Sequence, residues 1–238
     1  MRLDKYLSDM GIGTRTELKK MIRKGQVSVN GVAVKDPGCD VSEDAAVTVN
    51  GALIPYETLV YYMLHKPAGI ISASEDPREA TVIDLLPEPR RKDLFPVGRL
   101  DRDTEGLLLI TNDGDLAHRL LSPKHHVDKV YYARVSGQVT ASDVAAFRKG
   151  LVLTDGLECM PAELEVLSVN GAETEGFQSE VRITIREGKF HQIKRMFQAI
   201  GMEVLYLKRL SMGLLQLDPE LKPGESRRLT ERERMELK

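Results

Sequence analysis

Apolar residues at Leu3, Tyr6, Leu7 and Met10 recur at i, i+3, i+4 and i+7, the spacing of one helix face, and Gly11 follows where such a helix stops. Thr14-Arg15-Thr16-Glu17 reads as a capping box opening a second helix, with Leu18, Met21 and Ile22 as its buried stripe and Gly25 as its end. The period then changes to two. Val27 and Val29, the turn Asn30-Gly31, then Val32 and Val34 predict a hairpin, and Val47 and Val49 before Asn50-Gly51 predict one more strand. Ala52 to Thr58, with Pro55, carries little periodicity, so the chain is expected to divide there into domains of residues 1–55 and 56–238.

In the longer part, Val60 to Leu64 predicts an apolar strand, and Pro67 and Gly69 mark the turn after it. Residues 72–94 mix charges and prolines and are expected to form an exposed loop with a small helix near Val82 to Leu86. Leu107 to Ile110 is an uninterrupted apolar run stopped by Asn112-Asp113-Gly114, the pattern of a strand buried on both faces. Asp115 to Leu121 predicts a helix that Pro123 prevents from continuing. The run from His125 to Val135 is β-rich. Thr140 to Asp143 is close to another capping box, opening a helix through Val144 and Phe147 to Gly150. Several antiparallel strands follow, clearest at Val181, Ile183 and Ile185, and Ile193, Met196, Phe197 and Ile200 return to helical spacing before Gly201.

At 238 residues, 29% charged and 42% hydrophobic, the chain has an ordinary soluble composition and enough length for a sizeable core. Its net charge of -2 hides an asymmetry, because residues 1–35 hold eight cations against three acids, a net of +5. Arg15, Lys19 and Arg23 recur every four residues with Lys20 and Lys24 beside them, so one helix face is a ladder of cations that needs an anionic partner or open water. Cys39 and Cys159 are expected to be free thiols in a reducing compartment. No 18-residue apolar run occurs and Met1-Arg2-Leu3-Asp4-Lys5 cannot begin a signal peptide, so a cytoplasmic protein without membrane contact is expected. His125 and His126 would point to opposite faces of a strand, and no metal site is expected.

The chemistry concentrates in Gly98-Arg99-Leu100-Asp101-Arg102-Asp103-Thr104-Glu105-Gly106, where charges lie directly against the apolar strand. By itself this is either a charged loop paired with itself at a surface or a reactive carboxylate at the mouth of a sheet. Gly98-Arg99-Leu100-Asp101, with Thr104, Gly106 and Leu-Leu-Leu-Ile-Thr-Asn-Asp-Gly behind it, resembles the signature of RNA pseudouridine synthases. The resemblance implies that Asp101 is catalytic. Lys129-Val130-Tyr131 matches a second motif, whose tyrosine lies against the target base. Glu187 to Phe197 resembles a third, in which Ile193 touches the flipped base and Lys194 pairs with the catalytic aspartate. Arg99 is expected as a wedge or phosphate contact, and Thr104 as a substrate contact. His65 stands where related enzymes carry asparagine.

The first domain is similar to the S4 RNA-binding domain in Arg-Leu-Asp-Lys-Tyr-Leu near its start and Gly-Gln-Val-Ser-Val-Asn-Gly after the basic helix. This implies RNA contacts from Arg2, Lys5, Arg15, Lys19, Lys20, Arg23 and Lys24. The implied fold is α+β, an S4-like domain followed by a mainly antiparallel sheet flanked by helices. The implied reaction isomerises uridine, needs no cofactor, and acts on ribosomal RNA through an extruded base. His191-Gln192-Ile193-Lys194 leans toward small-subunit 16S rRNA or a small-subunit assembly intermediate, while large-subunit enzymes share the architecture. The loop over 72–94 is expected to order when RNA is present, and a monomer is expected. Two rival classes are a non-catalytic S4-type ribosome-binding protein, which would need none of Asp101, Tyr131 and Lys194, and a glycoside hydrolase, which would need Asp103 or Glu105 opposite Asp101.

Overall fold

The computed structural model describes residues 1–87, 91, 93–172 and 176–237. By its internal contacts the chain forms two compact units, Met1–Val60 with Leu86–Phe95, and Tyr61–Leu85 with Pro96–Lys238. The described residues of Leu86–Phe95, which the sequence assigned to the longer domain, fall in the shorter unit.

The first unit is α1 (Leu3–Asp9), α2 (Arg15–Arg23) and a four-stranded antiparallel sheet of β1 (Val27–Val29), β2 (Val32–Ala33), β3 (Val47–Val49) and β4 (Ala52–Leu53) in the order β2-β1-β3-β4. The helical spacing read from the sequence becomes its core: Leu3, Tyr6, Leu7, Leu18 and Ile22 are wholly buried with Val27 and Val47. Burying each such side chain contributes about 1.5–3 kcal/mol, enough to hold two short helices that would not persist alone. The Thr14 capping box forms as expected, the backbone N–H of Thr14 donating to Glu17 at 2.8 Å. Ala52 and Leu53, which carried no periodicity, form β4 because the Asn50-Gly51 turn folds them back on β3, with Asn50 at φ 49° and Gly51 at φ 85°.

The second unit contains β5 (Tyr61–Lys66), Pro96 of the two-residue β6 (Phe95–Pro96), β7 (Glu105–Thr111), α3 (Gly114–Leu121), β8 (Lys129–Ser136), α4 (Ala141–Lys149), β9 (Glu163–Ala172), β10 (Gly176–Ile185), α5 (Gln192–Ala199), β11 (Val204–Met212), β12 (Leu215–Gln216), β13 (Ser226–Arg228) and α6 (Glu231–Glu236). Its main sheet runs β13-β5-β7-β11-β8-β10-β9, with β12 beside β11. Every pair along that path is antiparallel except β7 with β11. Leu107, Leu108, Leu109 and Ile110 are wholly buried, so β7 is covered on both faces as its apolar run predicts.

The parallel contact is close. Gly106, at φ 104°, faces Arg209, and a Cβ at Gly106 would lie 2.2 Å from the Arg209 carbonyl oxygen, so only glycine fits where the site loop enters the sheet. Two local expectations fail. His125 ends a short 3₁₀ turn over Pro123–His125 and His126 adopts the left-handed conformation at φ 48°, so neither lies on a strand and β8 begins at Lys129. Residues 72–94 are not simply an exposed loop. Ser72, Thr81, Val82, Ile83, Arg91 and Leu94 are buried, while the small helix expected near Val82 to Leu86 is present as a 3₁₀ turn over Val82–Leu85. Residues 88–90 and 92 of that segment lie outside the described residues.

Candidate active site

Asp101 sits in the loop that precedes β7, and the segment after β5 holds that loop in place. Lys66, wholly buried at the end of β5, donates from Nζ to the carbonyl oxygens of Pro67 at 3.0 Å, Arg102 at 3.2 Å and Thr104 at 2.9 Å. One ammonium therefore fixes the backbone on the C-terminal side of Asp101. Burial pushes Lys66 down to about 8, with Asp103, Asp101 and Glu105 opposing that shift. On the N-terminal side the Ser72 hydroxyl donates to the Leu100 carbonyl at 2.9 Å and accepts from the Leu100 N–H at 3.1 Å. The Gly69 N–H donates to the Arg102 carbonyl at 2.8 Å, and the Thr104 N–H closes a turn on the Asp101 carbonyl at 3.1 Å. Neither Lys66 nor Ser72 was singled out as a site residue. The signal for Lys66 is that a lysine ends an apolar strand directly before the Pro67-Ala68-Gly69 turn.

The residues proposed from the sequence for the reaction line one cavity. Arg99, Asp101, Thr104, Tyr131, Ile193 and Lys194 surround a space of about 80 Å³ with Ile185, His191 and Leu207. That is several times the space one buried water needs. The Asp101 side chain keeps 26% of its surface exposed, so its carboxylate opens to solvent. Tyr131 and Ile193 are buried on the cavity wall. Tyr131 lies opposite Ile183 in β10 and Arg209 in β11, while Tyr132 points to the other face and packs against Tyr206 with ring centroids 6.0 Å apart. Thr104 is buried with a hydroxyl that has no hydrogen-bond partner, and it lines the same cavity.

Lys194 forms the expected ion pair with Asp101 and also bonds a second carboxylate, which the sequence did not indicate. Its Nζ donates to both carboxylate oxygens of Asp103, at 2.6 and 2.7 Å, and lies 3.5 Å from Asp101 Oδ2. The closer bond thus goes to the neighbouring aspartate, and Lys194 reaches Asp101 as a charge rather than as a donor. Burial acts to raise Asp103, but the hydrogen bond and charge of Lys194 outweigh it and hold that carboxyl below its ordinary value. A compact ammonium divides itself between two carboxylates more readily than a planar guanidinium would. On the other side His191 Nε2 lies 3.5 Å from Asp101 Oδ1. Asp101 is therefore flanked by two nitrogen-bearing side chains of one turn, the start of α5. Asp103 is bound to Lys194 beside Asp101 and Glu105 accepts from the Tyr206 hydroxyl at 2.7 Å, so neither stands free across the cavity as a second acid.

His65 takes no part in this cavity. Burial pushes its pKa down, and its Nδ1 lies 2.7 Å from the Leu221 carbonyl oxygen, so it ties β5 to the chain before β13. Among the described residues no group of three His, Cys, Asp or Glu side chains is placed to hold a metal ion, and no helix is long and apolar enough to cross a membrane.

In the first unit, Lys5, Arg15, Lys19, Lys20, Arg23 and Lys24 are exposed and make no ion pair within 4 Å among the described residues. Arg2 is exposed but engaged, donating from Nε at 3.0 Å and Nη2 at 2.8 Å to the buried Asp4 carboxylate. It therefore offers a less available charge than the α2 ladder.

Comparison with known proteins agrees with both units. A family model described as RNA pseudouridylate synthase matches residues 60–199, and one described as S4 domain matches residues 1–47. Among curated proteins, an uncharacterized RNA pseudouridine synthase of Bacillus subtilis, YtzG, is 47% identical over 98% of this chain and 96% of its own length. Ribosomal small subunit pseudouridine synthase A of Vibrio cholerae is 41% identical over 98% of this chain and 97% of its own. Ribosomal large subunit pseudouridine synthase B of Bacillus subtilis is 37% identical over 98% of this chain and 93% of its own.

Proposed function

We propose, since the chain belongs to the RNA pseudouridylate synthase family, that the uridine it isomerises lies in ribosomal RNA, in the 16S RNA of the small subunit. The protein is an RNA pseudouridine synthase carrying an S4 domain. The finer assignment is supported by the higher identity to a small-subunit than to a large-subunit enzyme and by the His191-Gln192-Ile193-Lys194 run. The substrate is naked 16S rRNA or a small-subunit assembly intermediate, met in the cytoplasm by a monomer.

The observation that carries the mechanism is the cavity shared by Asp101, Tyr131, Ile193 and Lys194. In the reaction the N1–C1′ bond of uridine breaks, the uracil turns, and a C5–C1′ bond forms while C5 loses its proton and N1 gains one. Atoms and electrons balance without any outside reactant. The Asp101 carboxylate is the reacting group, adding to C1′ or taking a sugar proton so that the base departs. Tyr131 and Ile193 form the wall that holds the detached uracil and keeps water from it. The Thr104 hydroxyl supplies a polar contact that the protein itself leaves unfilled. Lys194 and His191 hold positive or polar nitrogen against Asp101 as its charge changes, and Arg99 meets RNA phosphate or the gap left by the extruded base.

Tritium release from C5-labelled 16S and 23S transcripts, with pseudouridine mapping in rRNA from cells lacking the protein, tests the assignment. Release from 16S and loss of one 16S pseudouridine is the expected result. Release from 23S alone moves the target to the large subunit, and RNA binding without release from either leaves a ribosome-binding protein.

A further inference from the structure

Phe190 is the most exposed of the large apolar side chains described, at 76%, and it sits between two residues of the cavity wall, Lys189 and His191. A single exposed apolar side chain is ordinary on a protein surface, and what sets this one apart is its place at the rim of the cavity that holds Asp101. The backbone on either side of it is held by hydrogen bonds. The Phe190 carbonyl accepts from Arg195 Nη1 at 3.3 Å. The Lys189 N–H donates to Gln192 Oε1 at 2.9 Å, and Gln192 Nε2 donates to Glu187 Oε1 at 2.7 Å, which also accepts from the Met160 N–H at 2.9 Å. His191 adopts the left-handed conformation, φ 49° and ψ 34°, so the chain turns sharply there and presents Phe190 outward. The inner face of the Phe190 ring is stacked on His191, with centroids 3.8 Å apart and planes 18° from parallel. The imidazole in turn reaches Asp101 at 3.5 Å.

We propose that Phe190 is a stacking platform for the nucleobase next to the target uridine. This rests on the reading of Asp101 as the group that reacts with an extruded uridine. Taking a base out of the helix leaves one face of its neighbour without a stacking partner. An aromatic ring presented at the rim replaces that partner, and it does so with any base because every base has a π-face. Phe190 stacked on His191, whose Nε2 lies 3.5 Å from Asp101, then acts as a ruler: a neighbour base seated on Phe190 fixes how far the flipped uridine reaches toward the carboxylate. Phe190 thereby contributes to choice of site without reading a base edge.

The test uses the full-length protein and two RNAs carrying the same target uridine, a folded 16S rRNA transcript and a short unstructured fragment of it. Phe190→Ala and Phe190→Leu should lower kcat/KM on the folded transcript about tenfold to a hundredfold and leave the unstructured fragment within about threefold. Phe190→Trp should retain the wild-type rate on both. A 2-aminopurine placed beside the target should be quenched on binding by wild type and Phe190→Trp but not by Phe190→Leu. Equal loss on both RNAs, or full activity of Phe190→Leu on the folded one, overturns the proposal. Leucine keeps the apolar bulk against His191, so a merely structural contact would survive that change. Wild-type release from a 23S transcript and not from 16S would remove the target assignment alone, and the same four proteins would then be compared on the 23S RNA.

Discussion

The basic face of α2 and the loop around Asp101 are both rich in charge, and the structure treats them in opposite ways. On α2 the cations stand in water with no ion pair among the described residues, each free to meet a phosphate. Around Asp101 the charges are engaged: Lys66 with three carbonyl oxygens, Lys194 with Asp103, Asp101 between Lys194 and His191. Charges meant for a flexible polyanion lose little by staying solvated, because binding releases counterions from the RNA. A charge meant for one bond must already be placed when the substrate arrives, because reorganising it in the transition state would add to the barrier.

This contrast separates the two regions in measurement. Asp101→Asn keeps the size and the exposure of the side chain, so turnover should fall by at least roughly a hundredfold to a thousandfold while melting temperature and RNA affinity stay close to wild type. Tritium release and calorimetry on the same preparation check it, and a parallel fall in stability would make Asp101 a structural ion-pair partner.

Lys66→Met removes a buried cation and leaves the Pro67, Arg102 and Thr104 carbonyls without their donor. A stability loss of about 2 kcal/mol is expected, with a fall in kcat and an unchanged salt dependence of binding. Urea unfolding and filter binding read the two effects separately. If kcat survives while stability falls, the loop does not need its clamp for chemistry.

Changing Arg15, Lys19 and Arg23 together to glutamine acts on the other region. The slope of log affinity against log salt should lessen by about 2 to 3, from roughly 0.7 to 0.9 for each phosphate no longer neutralised, with kcat at saturating RNA unchanged. An unchanged slope would place the RNA on another face.

The smallest effect is in pH. With Lys66 lowered to about 8 by burial, raising pH from 7 to 9 turns the folded protein's ammonium into an amine, which donates two hydrogen bonds where three carbonyls wait. Turnover should fall severalfold through pH 8, and Lys66→Met should lack that step. The stability sign is the reverse. Between about 8 and the ordinary value of 10.5 the unfolded chain holds the extra proton at Lys66, so this group's contribution to folding stability rises with pH. A pH-rate profile beside a pH-stability profile distinguishes the two.

Much of the fold was legible because its signals are short. The stripes of α1, α2 and α5, the Thr14 box, the Asn-Gly turns and the apolar run of β7 are decided within a few residues of themselves. The strand expected at His125-His126 fails for a local reason too: Pro123 begins a 3₁₀ turn that overrides the β-rich composition after it. The buried part of residues 72–94 was not legible, since Ser72 finds its partner at Leu100 and charge content alone says nothing of that.

The sequence by itself determined the two-part order of the chain, the basic ladder and, through three motifs, the group of residues that meet at the cavity. Only the tertiary structure decided that Lys194 bonds Asp103 and stands 3.5 Å from Asp101, that Lys66 and Ser72 grip the loop from either side, and that His65 faces away. These contacts join residues tens of positions apart, and their partners are set by strand register and by the close parallel approach of β7 to β11 at Gly106. A one-dimensional pattern specifies which face a side chain takes, but which of two adjacent aspartates a lysine reaches is a matter of a few ångströms in the assembled sheet.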